Sequence, residues 1–417
     1  MRLLISSALA LGLGVVVATS LSGRATTERH SDLLPDARAV RYRFATTVTP
    51  DESLAQLEAR VQQPVASPFE MAELADLYLR RGDREKAEAL ANRSLAILRS
   101  PNPSLLVLAK VANARHDFGG AIALANEALT HKRTASAYSV IATAQLATGD
   151  LVPASDAAET VLALKPDSGA YLLHALVMQA QGRDAEAGFD FTRAAQLEEH
   201  DTPAESARLR ALWGRFLMRR GELAGAALLY DEALRIVPAM PLATALKGEL
   251  ALRRGKLRDA SSLFERAFAS SQQLRYLLDR ARAQDLAGED PTALRVHLER
   301  LLRREGVGHR LELVELLLDR GGDVKEPLAL AREEVLARPS IDARLQLARA
   351  LARKGDVDEA LVHVRAALAT GAKEAPLYEL AAQLEQRRGN APRAALYARE
   401  ARELDPGNSG WRLLAVR

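Results

Sequence analysis

Cysteine is absent from this chain, which excludes disulfides, thiolate metal sites, a cysteine nucleophile and attachment through a lipidated cysteine. Oxidising and reducing compartments are equally permitted. Aromatic residues make up only 4% of the sequence, while Ala, Leu and Arg are abundant. Such a composition suits helices that pack through small residues and keep their outer faces in solution with charge. Neither sign of charge dominates: 57 basic and 54 acidic residues leave a formal charge of +3. With no concentrated basic tail, nucleic-acid binding gains little support. Catalytic signatures are missing too. The eight histidines form no His-Glu-x-x-His pair, no glycine-rich loop precedes a helix to cradle phosphate, and no serine stands in a nucleophile elbow. The chain reads as a non-enzyme without metal or cofactor.

What is present is repetition. Within residues 211–238, Trp213, Gly214 and Leu217 mark one amphipathic segment, Gly221 a turn, and Ala226, Tyr230 and Ala233 a second segment that Pro238 stops. The turn glycine recurs from Gly82 through Gly149, Gly182, Gly221, Gly255, Gly288, Gly322 and Gly355 to Gly389. Successive markers lie 33 or 34 residues apart, except for 39 between Gly182 and Gly221 and 67 between Gly82 and Gly149. The longest gap holds two repeats, with His116 where a glycine is missing. An alanine follows every turn but that of the eighth repeat five residues on, as at Ala87, Ala121, Ala154, Ala187 and Ala226. Ten helix-turn-helix units result, and a sustained period of this length resembles the tetratricopeptide repeat. The resemblance covers residues 68–406 and implies an all-α chain, a right-handed α-solenoid superhelix with one concave and one convex face.

Outside the array, residues 1–24 form the strongest apolar run, with Arg2 ahead of an uninterrupted stretch from 8 to 18. This is the pattern of an export signal, and its whole length also approaches that of a membrane anchor. Either reading puts the repeats beyond the cytoplasmic membrane, secreted, periplasmic or tethered to it by this segment. Residues 25–50 read as a linker, 51–67 as an N-terminal capping helix and 407–417 as a C-terminal cap.

Two places break the pattern. The surplus before Gly221 falls in the acidic, proline-containing residues 198–205, which reads as a lengthened turn. The eighth repeat has Glu315, Pro327 and Glu334 where small residues belong, which reads as looser packing.

Ligands of tetratricopeptide repeats usually lie in the groove lined by the first helices. That frame places Lys110, Arg215, Arg219, Arg253, Arg282, Arg349, Arg353 and Arg387 toward the groove as candidate ligand-binding residues. Arginines so placed suit an acidic peptide, a C-terminal carboxylate or an anionic polymer. Many of them also sit in the last turn of a helix, where a cation complements the dipole without any ligand. The positions that would carry the carboxylate clamp of chaperone-binding members hold Ala72 and Asp76, which does not support that ligand class. The expected function is a protein–protein interaction scaffold of the bacterial cell envelope, binding a partner segment in its groove. An accessory of polysaccharide export, holding an anionic glycan on the same arginines, is the alternative.

Overall fold

In the computed structural model, residues 50–63, 66–80, 82–98, 102–198 and 201–406 are described. The leader, nearly all of the linker and the C-terminal cap fall outside them. Among the described residues the regular structure is entirely helical. A first helix, α1 (Pro50–Val61), buries Leu57 and Val61 against Met71 and Leu74 of the first repeat. Ten antiparallel pairs follow. Repeats 1 to 3 comprise α2 (Pro68–Arg80) with α3 (Arg84–Ile97), α4 (Asn102–Ala114) with α5 (Phe118–His131), and α6 (Ala135–Thr148) with α7 (Leu151–Leu164). Repeats 4 to 6 comprise α8 (Ser168–Ala180) with α9 (Asp184–Gln196), α10 (Pro203–Arg219) with α11 (Leu223–Ile236), and α12 (Pro241–Arg253) with α13 (Leu257–Ser271). Repeats 7 to 10 comprise α14 (Leu274–Leu286) with α15 (Thr292–Glu305), α16 (Arg310–Arg320) with α17 (Lys325–Ala337), α18 (Ile341–Lys354) with α19 (Val357–Leu368), and α20 (Ala375–Arg387) with α21 (Ala391–Leu404).

The repeat residues explain the pairing. The turn glycines lie in the left-handed region, for example Gly149 at φ 88° and Gly355 at φ 100°, and His116 takes the same region at φ 62° without being glycine. Small residues seven positions before the turn let the two helices of a repeat approach closely. In repeats 5 and 6 that residue is glycine because an aromatic ring fills the space: a Cβ on Gly214 would lie 2.5 Å from Tyr230, and one on Gly248 would lie 2.9 Å from Phe264. Both rings are fully buried. Gly214→Ala gains helix propensity of about 1 kcal/mol, but the clash costs about 1–3 kcal/mol. The variant should therefore melt lower than the parent in thermal denaturation, and a higher melting temperature would refute the close-approach account. Pro166, Pro238, Pro339 and Pro406 each stand two residues beyond the end of a second helix, where a residue that cannot continue the helix confirms its stop.

The surplus before Gly221 does more than lengthen the connection between α9 and α10, six residues against the four between α11 and α12. It extends a helix: α10 has 17 residues where α12 has 13. Its start is fixed by a capping box, with Thr202 accepting from the Glu205 amide and Glu205 accepting from the Thr202 amide. Glu198, at the start of that acidic stretch, is buried.

Repeat 8 is not loosely packed either. Glu315 and Glu334 are both buried and ion-paired, Glu315 to Arg275 and Arg282, and Glu334 to Arg310 and Arg338. Charge pairing has replaced small-residue packing at this junction.

The superhelix coils tightly enough to touch itself. Turns inside repeats 3 to 6 meet loops that flank repeats 9 and 10. The Lys373 amide donates to Ala180 O at 2.9 Å, and Arg219 donates to Lys373 O at 3.0 Å across 154 residues of sequence. A Cβ on Gly182 would lie 2.6 Å from Lys373 Cγ, and one on Gly149 would lie 2.7 Å from Ile341 Cγ1. At Gly82, Gly255, Gly288, Gly322, Gly355 and Gly389 nothing stands within 4 Å of such an atom. Two turn glycines thus end a helix and also receive the next coil.

Candidate functional site: a chamber inside the coil

Closure of the coil turns the concave face into a chamber of about 560 Å³, lined from repeats 2, 3 and 5 to 10. Volumes of this order suit a short ligand rather than a folded domain. First helices supply most of the wall, with apolar surface from Leu242, Leu246, Leu311 and Leu345 and the ring of Tyr276. Among charged lining residues, seven are carboxylates and four are arginines. Carboxylates thus outnumber arginines on the lining, although Asp279, Glu315 and Glu334 are already held by arginines of this chain.

The eight cations singled out from the sequence are not gathered into one binding surface. They divide by register. Six residues before the turn, Lys110 pairs with Asp76 at 2.6 Å, Arg282 with Glu315 at 2.7 Å and also with Asp319, and Arg349 with Asp319 at 3.1 Å. Arg215, in the same register, lines the chamber. Each of these carboxylates belongs to an adjoining repeat, so the three cations join first helices side by side. Two residues before the turn, Arg387 donates to Ala352 O at 2.8 Å, Arg353 to Leu318 O, and Arg253 to Met218 O at 3.5 Å, all 35 residues back. A pre-turn arginine thus caps the first helix of the preceding repeat, where orphan carbonyls collect. Arg219, in the same register, instead reaches across the coil to Lys373 O.

At the chamber floor Arg275, Asp279, Arg282, Glu315, Asp319 and Arg349 form one network spread over α14, α16 and α18. Burial would raise the Glu315 carboxyl, but Arg275, Arg282 and Arg349 outweigh it and hold Glu315 well below the usual carboxylate range. Burial lowers the Arg349 guanidinium from its ordinary value, and Asp319 only partly restores it. Higher on the wall, burial raises Glu312, yet His309 at 3.6 Å and the nearby Arg275 bring it below its ordinary value. His116, opposite, is lowered by its own burial, which the attraction of Glu312 does not overcome. No histidine or carboxylate cluster with metal-ligand geometry occurs among the described residues.

Sequence pattern singled out the cations and missed the carboxylates. The available signal was Glu315 itself: an acid in a small-residue register, with Arg282 33 residues before it and Arg349 in the same groove register two repeats after Arg282.

The coil is closed by one further pair. Arg253 and Asp405, 152 residues apart, meet in a buried bidentate contact, with Arg253 Nη2 to Asp405 Oδ2 at 2.6 Å. Glu379 lies in their field. Burial first, and Asp405 second, push its carboxyl up to about 7, which Arg253 does not offset. A carboxyl raised in the folded state contributes stability that is complete below its unfolded pKa of about 4.5 and is lost as pH rises through about 7. Hydrogen exchange at the Lys373 amide, corrected for base catalysis, should accordingly be faster at about pH 8 than at about pH 6. Glu379→Gln should abolish that difference, and its persistence would assign the effect to another group.

No protein-family model matches the chain, and no curated protein does. Solved structures do. The human IFIT1 dimer with PPP-AAAA is similar over 87% of this chain and 96% of its own, at 16% identity and a TM-score of 0.46. Yeast Tom70 is similar over 93% and 94%, at 13% identity and a TM-score of 0.41. TTC0263, a thermophilic TPR protein of Thermus thermophilus, aligns with 45% of this chain and 98% of its own, at 20% identity and a TM-score of 0.40.

Proposed function

We propose that this tetratricopeptide-like solenoid is a non-enzymatic binding scaffold that holds a short extended segment of a partner protein inside the coil. The observation that carries this reading is the chamber itself, a partly open space with apolar walls and more carboxylates than arginines. A majority of carboxylates among the charged lining residues favours lysine or arginine on the bound segment, with apolar neighbours against Leu242, Leu246 and Leu311. It disfavours the acidic peptide and the anionic glycan that the first-helix arginines alone suggested, because most of those arginines already hold carboxylates or carbonyls of this chain. The apolar leader supports an extracytoplasmic setting in a bacterial envelope.

Two measurements test the reading. Fluorescence anisotropy should show a labelled eight-residue lysine–leucine peptide binding the full chain, and a glutamate–leucine peptide of equal length failing to bind. Capture from envelope extract, washed at low and then high salt, should retain a stoichiometric protein through the second wash, since apolar anchors outlast screened charge. Recovery of anionic polymer alone, released by salt, would replace this reading with the polysaccharide-export one.

A further inference from the structure

The coil-to-coil seam and the chamber wall are the same stretch of chain. Lys373 immediately precedes the lining residue Glu374, with Pro376 two positions beyond, and Ile341 stands between the lining residues Ser340 and Asp342. What holds the seam differs from what holds neighbouring repeats. Neighbours pack helix against helix. The seam joins turns to loops through the Lys373 amide on Ala180, Arg219 on Lys373, Arg253 on Asp405 and the seating of Ile341 against Gly149, with Leu151 of repeat 3 buried in the apolar core of repeats 8 to 10. Partial opening follows the boundary with the fewest buried contacts. A solenoid can part its coils by small rotations shared among many repeats, each keeping its own neighbours.

Resting on the reading of the chamber as the binding site, we propose that the seam is its door. The loops flanking repeats 9 and 10 part from the turns of repeats 3 to 6, the ligand segment enters sideways, and the seam closes behind it. Lateral entry suits a segment in the middle of a partner chain, which could not be threaded in by its end. Arg253 and Asp405 are the latch: they form a buried ion pair across the seam, and neither lines the chamber.

The absence of cysteine makes a direct test possible. Leu311→Cys places a single thiol on the chamber wall, contributed by repeat 8 and away from the seam. Its labelling by a bulky maleimide is timed in the otherwise unchanged chain and with Arg253→Ala or Asp405→Asn added, a small thiosulfonate serving as control. The door requires bulky labelling at least about tenfold faster in both latch variants, with the small reagent accelerated much less. Circular dichroism establishes folding; should Arg253→Ala unfold, the near-isosteric Asp405→Asn carries the test. Faster exchange of the Lys373 amide confirms that the seam has loosened. Bulky labelling that stays unchanged while that amide exchanges faster overturns the door, because the chamber is then reached another way. The lysine–leucine peptide is measured on chains that keep Leu311, with and without the latch substitutions. If it binds none of them while labelling accelerates, the ligand reading fails and the door stands.

Discussion

Arg210→Ala should destabilise the chain by about 3–5 kcal/mol, the usual cost of removing one partner from a buried ion pair. The Arg210 side chain is 1% exposed, and its guanidinium donates to Glu198 at 2.8 and 2.9 Å, to the Ser206 hydroxyl at 2.7 Å and to Glu232 at 3.1 Å. Glu198 closes repeat 4, Arg210 lies in the lengthened α10, and Glu232 lies on α11. One guanidinium therefore fixes the angle at which the added helical turn crosses from one repeat to the next. Its loss strands the buried carboxylate of Glu198, whereas Arg210→Met combined with Glu198→Leu removes both charges and should recover most of the stability. Urea denaturation of the two variants measures the difference. If Arg210→Ala costs under about 1 kcal/mol, the site is solvated and the account fails.

Glu315→Ala should be equally damaging, although alanine is what the repeat register calls for. Reasoning from the repeat pattern expects a stabilising return to the common residue. Electrostatics expects the reverse, a loss of about 3–5 kcal/mol, because Arg275 and Arg282 lose a carboxylate that both contact inside the wall. Adding Arg282→Met should return part of the loss. The pH dependence follows from the direction of the shift. Glu315 is held well below its unfolded value of 4.5, so its contribution is complete above about pH 4.5 and disappears as pH falls toward the folded value. The stability difference between Glu315→Gln and the parent should therefore shrink on acidification. A stabilised Glu315→Ala chain would show that register, not charge, governs this junction.

The fold was legible because its instructions are local and repeated. Gly149 and Gly355 announce left-handed turns, Pro238 and Pro339 announce helix stops, and alanines in register announce close pairing. Such signals need no knowledge of distant parts of the chain. Repeat 8 shows their limit. Its Glu315 and Glu334 were visible as intruders, but whether an acid loosens a junction or locks it depends on which cations reach it, and Arg275 and Arg282 reach Glu315 from the adjoining repeat. Similarly, register places the candidate arginines near the groove, while what most of them do depends on a partner in another repeat. Arg387 caps the helix of another repeat, and Arg253 finds Asp405 152 residues away. The chamber was illegible for the same reason: it exists only because the coil meets itself, which no single repeat encodes. Glu198 reads in the sequence as one of an acidic run, and its burial goes with Arg210, which the lengthened α10 carries to it.

Contact between successive coils also restricts how this protein can change in length. An open solenoid can gain or lose a unit anywhere and remain the same kind of object, since each unit consults only its neighbours. Here the glycines of repeats 3 and 4 are hollows shaped for side chains at the far end, and deleting one unit between repeats 5 and 8 would bring the wrong loops over them. Arg253 would lose Asp405, Gly182 would face something other than Lys373, and the chamber would lose its last wall. Insertion and deletion, the usual currency of repeat evolution, are thereby barred from the middle of the array. For this chain the number of repeats is part of the tertiary structure.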